Sequence, residues 1–67
     1  MFSIEEFKEK WNNDNRIVKN IWFYNGDIVY ADEYSLTDDD IPFIELFLDD
    51  ILIGIFNVSN IMTIAGF

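Results

Sequence analysis

An Asn-Gly pair between two β-rich runs is the sequence feature that most narrows the fold of this 67-residue chain. Asn25-Gly26 follows residues 16–24 and precedes residues 27–34, and both runs are rich in branched and aromatic side chains. The central residues of a two-residue type I′ turn need positive φ, which Asn and Gly adopt at low cost. We therefore predict an antiparallel hairpin with the facing pairs Phe23 and Ile28, Ile21 and Tyr30, Lys19 and Asp32, and Ile17 and Tyr34.

A second hairpin is predicted around Asp49-Asp50, which separates two apolar runs, residues 43–48 and 51–56. Both faces of this hairpin would be apolar. The isoleucine-rich alternation favours strands, although a buried helix over residues 42–52 also fits the pattern. The predicted facing pairs are Leu48 and Ile51, Leu46 and Ile53, and Ile44 and Ile55. Residues 57–60 should form a turn, and residues 61–64 either a fifth short strand or a closing turn of helix.

A helix is predicted ahead of the two hairpins. Ser3 and Glu6 have the spacing of a capping box, in which side chain and backbone groups satisfy one another at the helix start. Phe7 and Trp11 lie on one helical face and should belong to the core. Residues 12–15, Asn-Asn-Asp-Asn, should end the helix because their short polar side chains compete for backbone hydrogen bonds.

These elements predict a single α+β domain over residues 1–67 with a small core. The N-terminal helix would pack on a four- to five-stranded, mainly antiparallel sheet made of the two hairpins. Such a sheet can curl into a small, partly closed barrel. We expect a cytoplasmic protein, because the chain has no cysteine, no secretory signal pattern and no apolar run long enough to cross a bilayer.

Charge is distributed very unevenly along the chain, whose net charge is −9. Residues 1–19 balance four acids with four bases, whereas the remainder holds nine acids and no base. A field of one sign repels nucleic acid and anionic membranes and attracts basic surfaces. The expected partner is therefore a basic protein surface, with neither direct nucleic-acid binding nor membrane binding.

The run Asp38-Asp39-Asp40 is the densest acidic feature. Thr37 could cap a single helical turn there, with the carboxylates favoured by its positive end. A calcium loop is disfavoured because the alternating Asp ligand spacing is missing. Carboxylates two apart on a strand, about 6.6 Å from each other, could instead imitate the phosphates of a nucleic acid.

Catalysis is not expected. The chain has no histidine or cysteine to act as base or nucleophile, and its one glycine-containing turn is not a phosphate loop. We predict no enzyme activity, no cofactor and no metal site. The aromatic residues are more typical of a core than of a base-stacking platform, because no cationic groove accompanies them. Some of them, Trp22 and Tyr24 in particular, could anchor an interface.

Two functions fit this sequence. The first is a small acidic inhibitor that occupies the basic nucleic-acid-binding surface of a host enzyme. In size, charge and lack of catalytic residues, though in no sequence motif, the chain resembles phage-encoded antagonists of restriction, CRISPR or DNA-repair enzymes. The alternative is an oligomerising adaptor or immunity-type subunit that binds a protein through its apolar hairpin, and a homodimer is compatible with both. The predicted partner-binding residues are Asp32, Glu33, Asp38, Asp39, Asp40, Asp49 and Asp50, with Trp22 and Tyr24 as apolar anchors.

Overall fold

The described part of the chain has an α+β fold, with one α-helix and six strands in two three-stranded antiparallel sheets. The computed structural model describes residues 2–36, 38 and 40–65. One sheet has the strand order β2-β1-β6 and the other β3-β4-β5. The elements are α1 (Ile4–Asn13), β1 (Lys19–Phe23), β2 (Ile28–Ala31), β3 (Glu33–Leu36), β4 (Phe43–Leu48), β5 (Ile51–Asn57), a 3-10 helix (Val58–Asn60) and β6 (Ile61–Ile64).

The helix begins as its sequence predicts. The Ser3 side chain accepts a hydrogen bond from the Glu6 backbone N–H at 3.1 Å, and the Glu6 carboxylate accepts one from the Ser3 N–H at 3.2 Å. These reciprocal bonds satisfy backbone donors that have no partner inside the helix. The helix ends at Asn13, and its face with Phe7 and Trp11 is buried as predicted.

The first hairpin forms, but its predicted register is wrong by one residue. Ile21 faces Val29 rather than Tyr30, and Lys19 faces Ala31 rather than Asp32. The predicted strand over residues 16–24 is also shorter, because β1 begins at Lys19.

The turn explains the shift in register. Gly26 has a φ of 95°, whereas Asn25 is not among the described residues with positive φ, so the loop is not the predicted type I′ turn. The Gly26 N–H instead donates to the carbonyl of Phe23, and the Phe23 N–H donates to the carbonyl of Asp27, which makes a three-residue loop. The Asn25 side chain holds this loop by accepting a hydrogen bond from the Asp27 N–H at 2.9 Å.

The predicted strand over residues 27–34 divides between the two sheets. Asp32 lies at a bend between β2 and β3, and its N–H donates to the carbonyl of Phe47 in β4 at 2.9 Å. The chain therefore leaves the first sheet after Ala31 and continues in the second from Glu33. This crossing gives two three-stranded sheets where one sheet of four or five strands was predicted, and they do not close into a barrel.

The second hairpin is formed by strands, so the alternative of a helix over residues 42–52 is wrong. Leu48 faces Ile51 as predicted. Beyond Phe47 and Leu52 the register shifts at a bulge, so that Leu46 faces Gly54 rather than Ile53, and Ile44 faces Phe56 rather than Ile55. An extra residue in β5, Ile53, causes the shift, as expected of a β-bulge.

The segment after β5 completes the first sheet. Asn57 caps the 3-10 helix by accepting hydrogen bonds from the N–H and hydroxyl of Ser59. Residues 61–64 form the strand β6, which pairs with β1. Of the two predicted alternatives for this segment, the strand is correct.

The core combines residues from the helix and both sheets. The Tyr34 ring meets the rings of Phe7 and Trp11 edge-on, each at a centroid distance of 5.0 Å. Phe23 of the first sheet contacts Phe56 of the second at 5.2 Å. The fully buried side chains around these rings are Ile21, Ala31, Ile44, Leu46, Val58 and Ile61.

Candidate protein-binding surface

Carboxylates converge where the turn between β4 and β5 meets the bend between β2 and β3. Asp49 and Asp50 form this turn, and the Asp49 N–H donates to Asp32 Oδ2 at 3.2 Å. Glu33 begins β3 opposite Phe47, two residues before the turn. Asp32, Glu33, Asp49 and Asp50 therefore form one acidic group, called here the turn group. Their partner-binding role remains a prediction, but four of the predicted residues do lie together.

A second acidic group precedes β4. Asp38 and Asp40 are exposed, and Asp38 Oδ1 accepts a hydrogen bond from the Asp40 N–H at 2.9 Å. The Ile41 N–H also donates to the Asp38 carbonyl, which makes a tight polar turn. Thr37 and Asp39 lie outside the described residues, so the predicted Thr37 cap and the predicted contact at Asp39 are not described.

The two acidic groups lie at opposite ends of β4. Six residues of strand separate them, which corresponds to about 17–20 Å. Among the six described strands, β3 and β4 hold one acid each, Glu33 and Glu45, and the others hold none. The expected spacing of carboxylates two apart on one strand is therefore not found there, because the acids fall in turns and at strand ends.

An apolar face lies between the acidic groups, on the outer side of the sheet β3-β4-β5. Phe43 and Phe47 point outward from β4, since Ile44 and Leu46 of the same strand are buried. Leu52 of β5 faces Phe47, and Ile55 faces Glu45. We call Phe43, Phe47, Leu52 and Ile55 the apolar face. Ile55 is 61% exposed, Leu52 47% and Phe43 42%, and neighbouring apolar side chains exposed to this extent are typical of interaction surfaces.

One end of the apolar face continues into an open cleft of about 720 Å³. The cleft lies between the loop of the first hairpin and the end of the second sheet. Asp27 lines it together with aromatic rings, and the Asp27 carboxylate accepts a hydrogen bond from the Asn25 amide at 3.0 Å. The lining residues are Phe23, Tyr24, Asn25, Asp27, Phe43, Ile55, Phe56, Asn57 and Asn60.

The two predicted anchors differ in accessibility. Tyr24 is 63% exposed and lines the cleft, which suits an interface residue. Trp22 is half-buried in β1, and its indole N–H donates to the Ala65 carbonyl at 3.3 Å. Trp22 is therefore held by its own chain and offers a partner much less surface than Tyr24 does.

Two of the basic residues, Arg16 and Lys19, bind groups of their own chain. Lys19 is buried, its ammonium donates to the Arg16 carbonyl at 2.6 Å, and it lies 4.8 Å from the centroid of the Trp11 ring. The predicted pairing of Lys19 with Asp32 is therefore wrong. Arg16 binds Asp14 through its guanidinium and its backbone N–H, and these hydrogen bonds lower the pKa of Asp14 to about 2.

The alternative function predicted binding through the apolar second hairpin, but the individual residues of the apolar face were not assigned from the sequence, and of the cleft only Tyr24 was. The outward positions Phe43, Glu45 and Phe47 alternate with buried ones, and that period of two was the available signal. Asp27 was missed because a carboxylate after Asn-Gly is also ordinary turn chemistry. Tyr24 is distant in sequence from Asn57 and Asn60, and only the fold brings these residues together in one cleft.

Comparison with known proteins does not identify a function for this chain. No known family model, no characterised protein and no solved structure matches this chain. Within residues 2–36, 38 and 40–65, no helix is long and apolar enough to cross a membrane. In the same residues, no group of three acidic side chains is arranged to hold a metal ion.

Proposed function

We propose that this chain is a small acidic inhibitor that binds a basic protein surface of the kind that nucleic-acid-processing enzymes present. The observation that carries the proposal is the placement of two exposed acidic groups on either side of an apolar face. A partner with apolar side chains at its centre and lysines or arginines around them would complement this arrangement.

The apolar face distinguishes this proposal from imitation of a regular phosphate backbone. A mimic that acts through charge alone would hold rows of carboxylates at phosphate spacing, whereas Glu45 lies among Phe43, Phe47 and Ile55. Apolar contacts at the centre of an interface supply most of its affinity, and charges at the rim mainly set the rate and specificity of association. The inhibitor would therefore block a nucleic-acid site by covering it.

The cleft offers a place for one cationic side chain of that partner. The stem of an arginine can lie on the rings of Tyr24, Phe43 and Phe56, with its guanidinium near the Asp27 carboxylate. A carboxylate and an arginine pair well, because the guanidinium donates two parallel hydrogen bonds. An arginine is for this reason the partner residue that best fits the cleft.

The experiment begins with capture of partners from nuclease-treated bacterial lysate, with elution by a rising NaCl gradient. A captured nucleic-acid enzyme is then purified and titrated with the chain in the presence of its nucleic acid. We expect the chain to displace the nucleic acid, with an affinity that falls as salt rises.

Matched variants locate the contact. Asp49→Asn with Asp50→Asn should weaken binding about tenfold, mainly through slower association. Glu5→Gln with Glu9→Gln removes the same charge from exposed positions of the helix and should change affinity much less. Equal losses for the two double variants, or a partner that still binds its nucleic acid, would contradict the proposal.

The alternative function predicted from the sequence, an adaptor or immunity-type subunit that binds through the apolar hairpin, has one observation in its favour. Large apolar side chains of β5 are exposed along most of the strand, including Ile51 at 66%. The salt dependence of the association rate separates the two functions. Association through an apolar surface alone would be nearly independent of NaCl, whereas association guided by the two acidic groups would slow markedly by about 0.5 M NaCl, where charges at the rim are largely screened.

A further inference from the structure

Among the described residues, Glu45 is the only acid in the middle strand of either sheet. Its strand β4 pairs with β3 on one side and with β5 on the other, and Glu45 faces Ser35 and Ile55 across these pairings. Phe43 and Phe47 lie two residues away on the same outward side, at about 6.6–6.8 Å along the strand. The half-buried Glu45 is therefore bordered mainly by apolar side chains, unlike the acids of the turns.

No cation of the described chain neutralises Glu45. Within residues 2–36, 38 and 40–65 its carboxylate takes part in no hydrogen bond or ion pair, and no lysine or arginine occurs after Lys19. In the free chain, water hydrates this carboxylate. A purely apolar partner surface laid over it would remove that water and return no hydrogen bond, which is strongly unfavourable. A partner that covers the apolar face must therefore bring a cation to Glu45.

We propose that Glu45 binds one arginine of the partner at the centre of the apolar face. The guanidinium would donate two parallel hydrogen bonds to the carboxylate and stack its flat faces against the rings of Phe43 and Phe47. Ser35 is the smallest neighbour of Glu45 and leaves room for the arginine stem. Lysine fits less well, because its ammonium is a strongly hydrated point charge without paired donors.

The pairing rests on the proposed function and deepens it, because it identifies the partner residue at the apolar face and gives Glu45 a role. It is separate from the cleft, where Asp27 is the carboxylate. The surrounding apolar side chains would exclude water from the pair. Loss of Glu45 would therefore mainly speed dissociation of the partner, whereas loss of the turn group slows association.

A double-mutant cycle on the whole chain with a peptide probe tests the pairing. The probes are acetyl-Leu-Arg-Leu-amide and the same peptide with citrulline, which keeps the shape of arginine but carries no charge. Binding to the isotope-labelled chain is followed by NMR at the carboxyl carbon of Glu45. We expect the arginine peptide to bind about tenfold more tightly than the citrulline peptide, and we expect Glu45→Gln to abolish this difference.

Two further variants assign the difference to its place. Glu9→Gln removes the same charge from an exposed position of α1 and should leave the difference between the peptides unchanged. Asp27→Asn removes the carboxylate of the cleft, and the difference should persist there as well. A difference that survives Glu45→Gln and is lost in Asp27→Asn would put the arginine in the cleft and overturn the inference. Equal binding of both peptides to the unmodified chain, or no binding of either, would also overturn it.

The outcome is separable from the test of the inhibitor function, because the peptides need neither an enzyme nor a nucleic acid. A chain that does not displace nucleic acid can still show the coupling between arginine and Glu45. A chain without that coupling can still displace nucleic acid through its acidic groups. Tighter binding of the arginine peptide to Glu45→Leu than to the unmodified chain would show that the face prefers an apolar contact, and the inference would be wrong.

Discussion

Asp14 and Arg16 show how the charges of the first 19 residues are neutralised close to where they occur. Arg16 donates to the Asp14 carboxylate from its backbone N–H and its Nε, each at 2.9 Å, and from its terminal guanidinium nitrogen. Side-chain hydrogen bonds from Arg16 are the main cause of the lowered pKa of Asp14, and the backbone N–H adds to them. The same pairing raises the pKa of Arg16.

We therefore predict that the Asp14 carboxyl titrates at about pH 2 in the folded chain, below its ordinary value of 3.8. A lowered folded-state pKa means that the stabilisation is fully present above pH 3.8 and is lost as the pH falls through about 2. Carboxyl carbon chemical shifts followed by NMR would measure the midpoint. Arg16→Gln should return it towards 3.8, and a midpoint already near that value in the unmodified chain would contradict the assignment.

At the scale of single elements, the two hairpins close in different ways. The loop around Asn25-Gly26 needs one residue with positive φ, Gly26. The turn between β4 and β5 places two non-glycine residues there, Asp49 at 52° and Asp50 at 65°. These values fit the two-residue type I′ turn, which favours Asn followed by Gly. The turn that was predicted for the first hairpin thus occurs in the second, with less favourable residues.

We predict that Asp49→Asn combined with Asp50→Gly stabilises the fold by about 0.5–1 kcal/mol. Glycine adopts the left-handed region without the clash of a Cβ, and the gain exceeds its greater freedom in the unfolded chain. Urea unfolding would measure the change in the free energy of unfolding. Asp49→Asn with Asp50→Asn removes the same charges without glycine. If that control stabilises the chain as much, glycine at position 50 adds nothing and the prediction is wrong.

At the scale of the whole molecule, the nine acids after residue 19 repel one another across a small fold. Repulsion of this kind costs stability in the compact state and is reduced by salt. We predict that the urea midpoint rises between about 0.02 M and about 0.5 M NaCl at pH 7. Asp38→Asn with Asp40→Asn should raise the midpoint at low salt and make it less sensitive to salt. A midpoint that falls with salt would show that attractive pairs dominate.

Local sequence determined the features that depend on neighbouring residues. The capping box of Ser3 and Glu6 and the positions of the turns at Asn25-Gly26 and Asp49-Asp50 follow from the local sequence, because each is governed by contacts within a few residues. The absence of bases after Lys19 is likewise a property of the sequence alone. It indicates a basic partner independently of the fold.

Tertiary structure decided the register, the division into two sheets and the surface that remains exposed. A one-residue change of register moves every side chain of a strand to the other face, so the shape of the loop at Gly26 decided which side of β2 faces the core. Ala31 is buried, whereas Tyr30, predicted to face Ile21, is exposed. The bend at Asp32 and the bulge at Ile53 depend on pairing with β4, which no local pattern encodes. Both faces of the second hairpin are apolar in sequence, and packing against Phe7, Ile21 and Phe23 buried only one. The apolar face and the edge of β5 remain exposed because a core of this size cannot cover them.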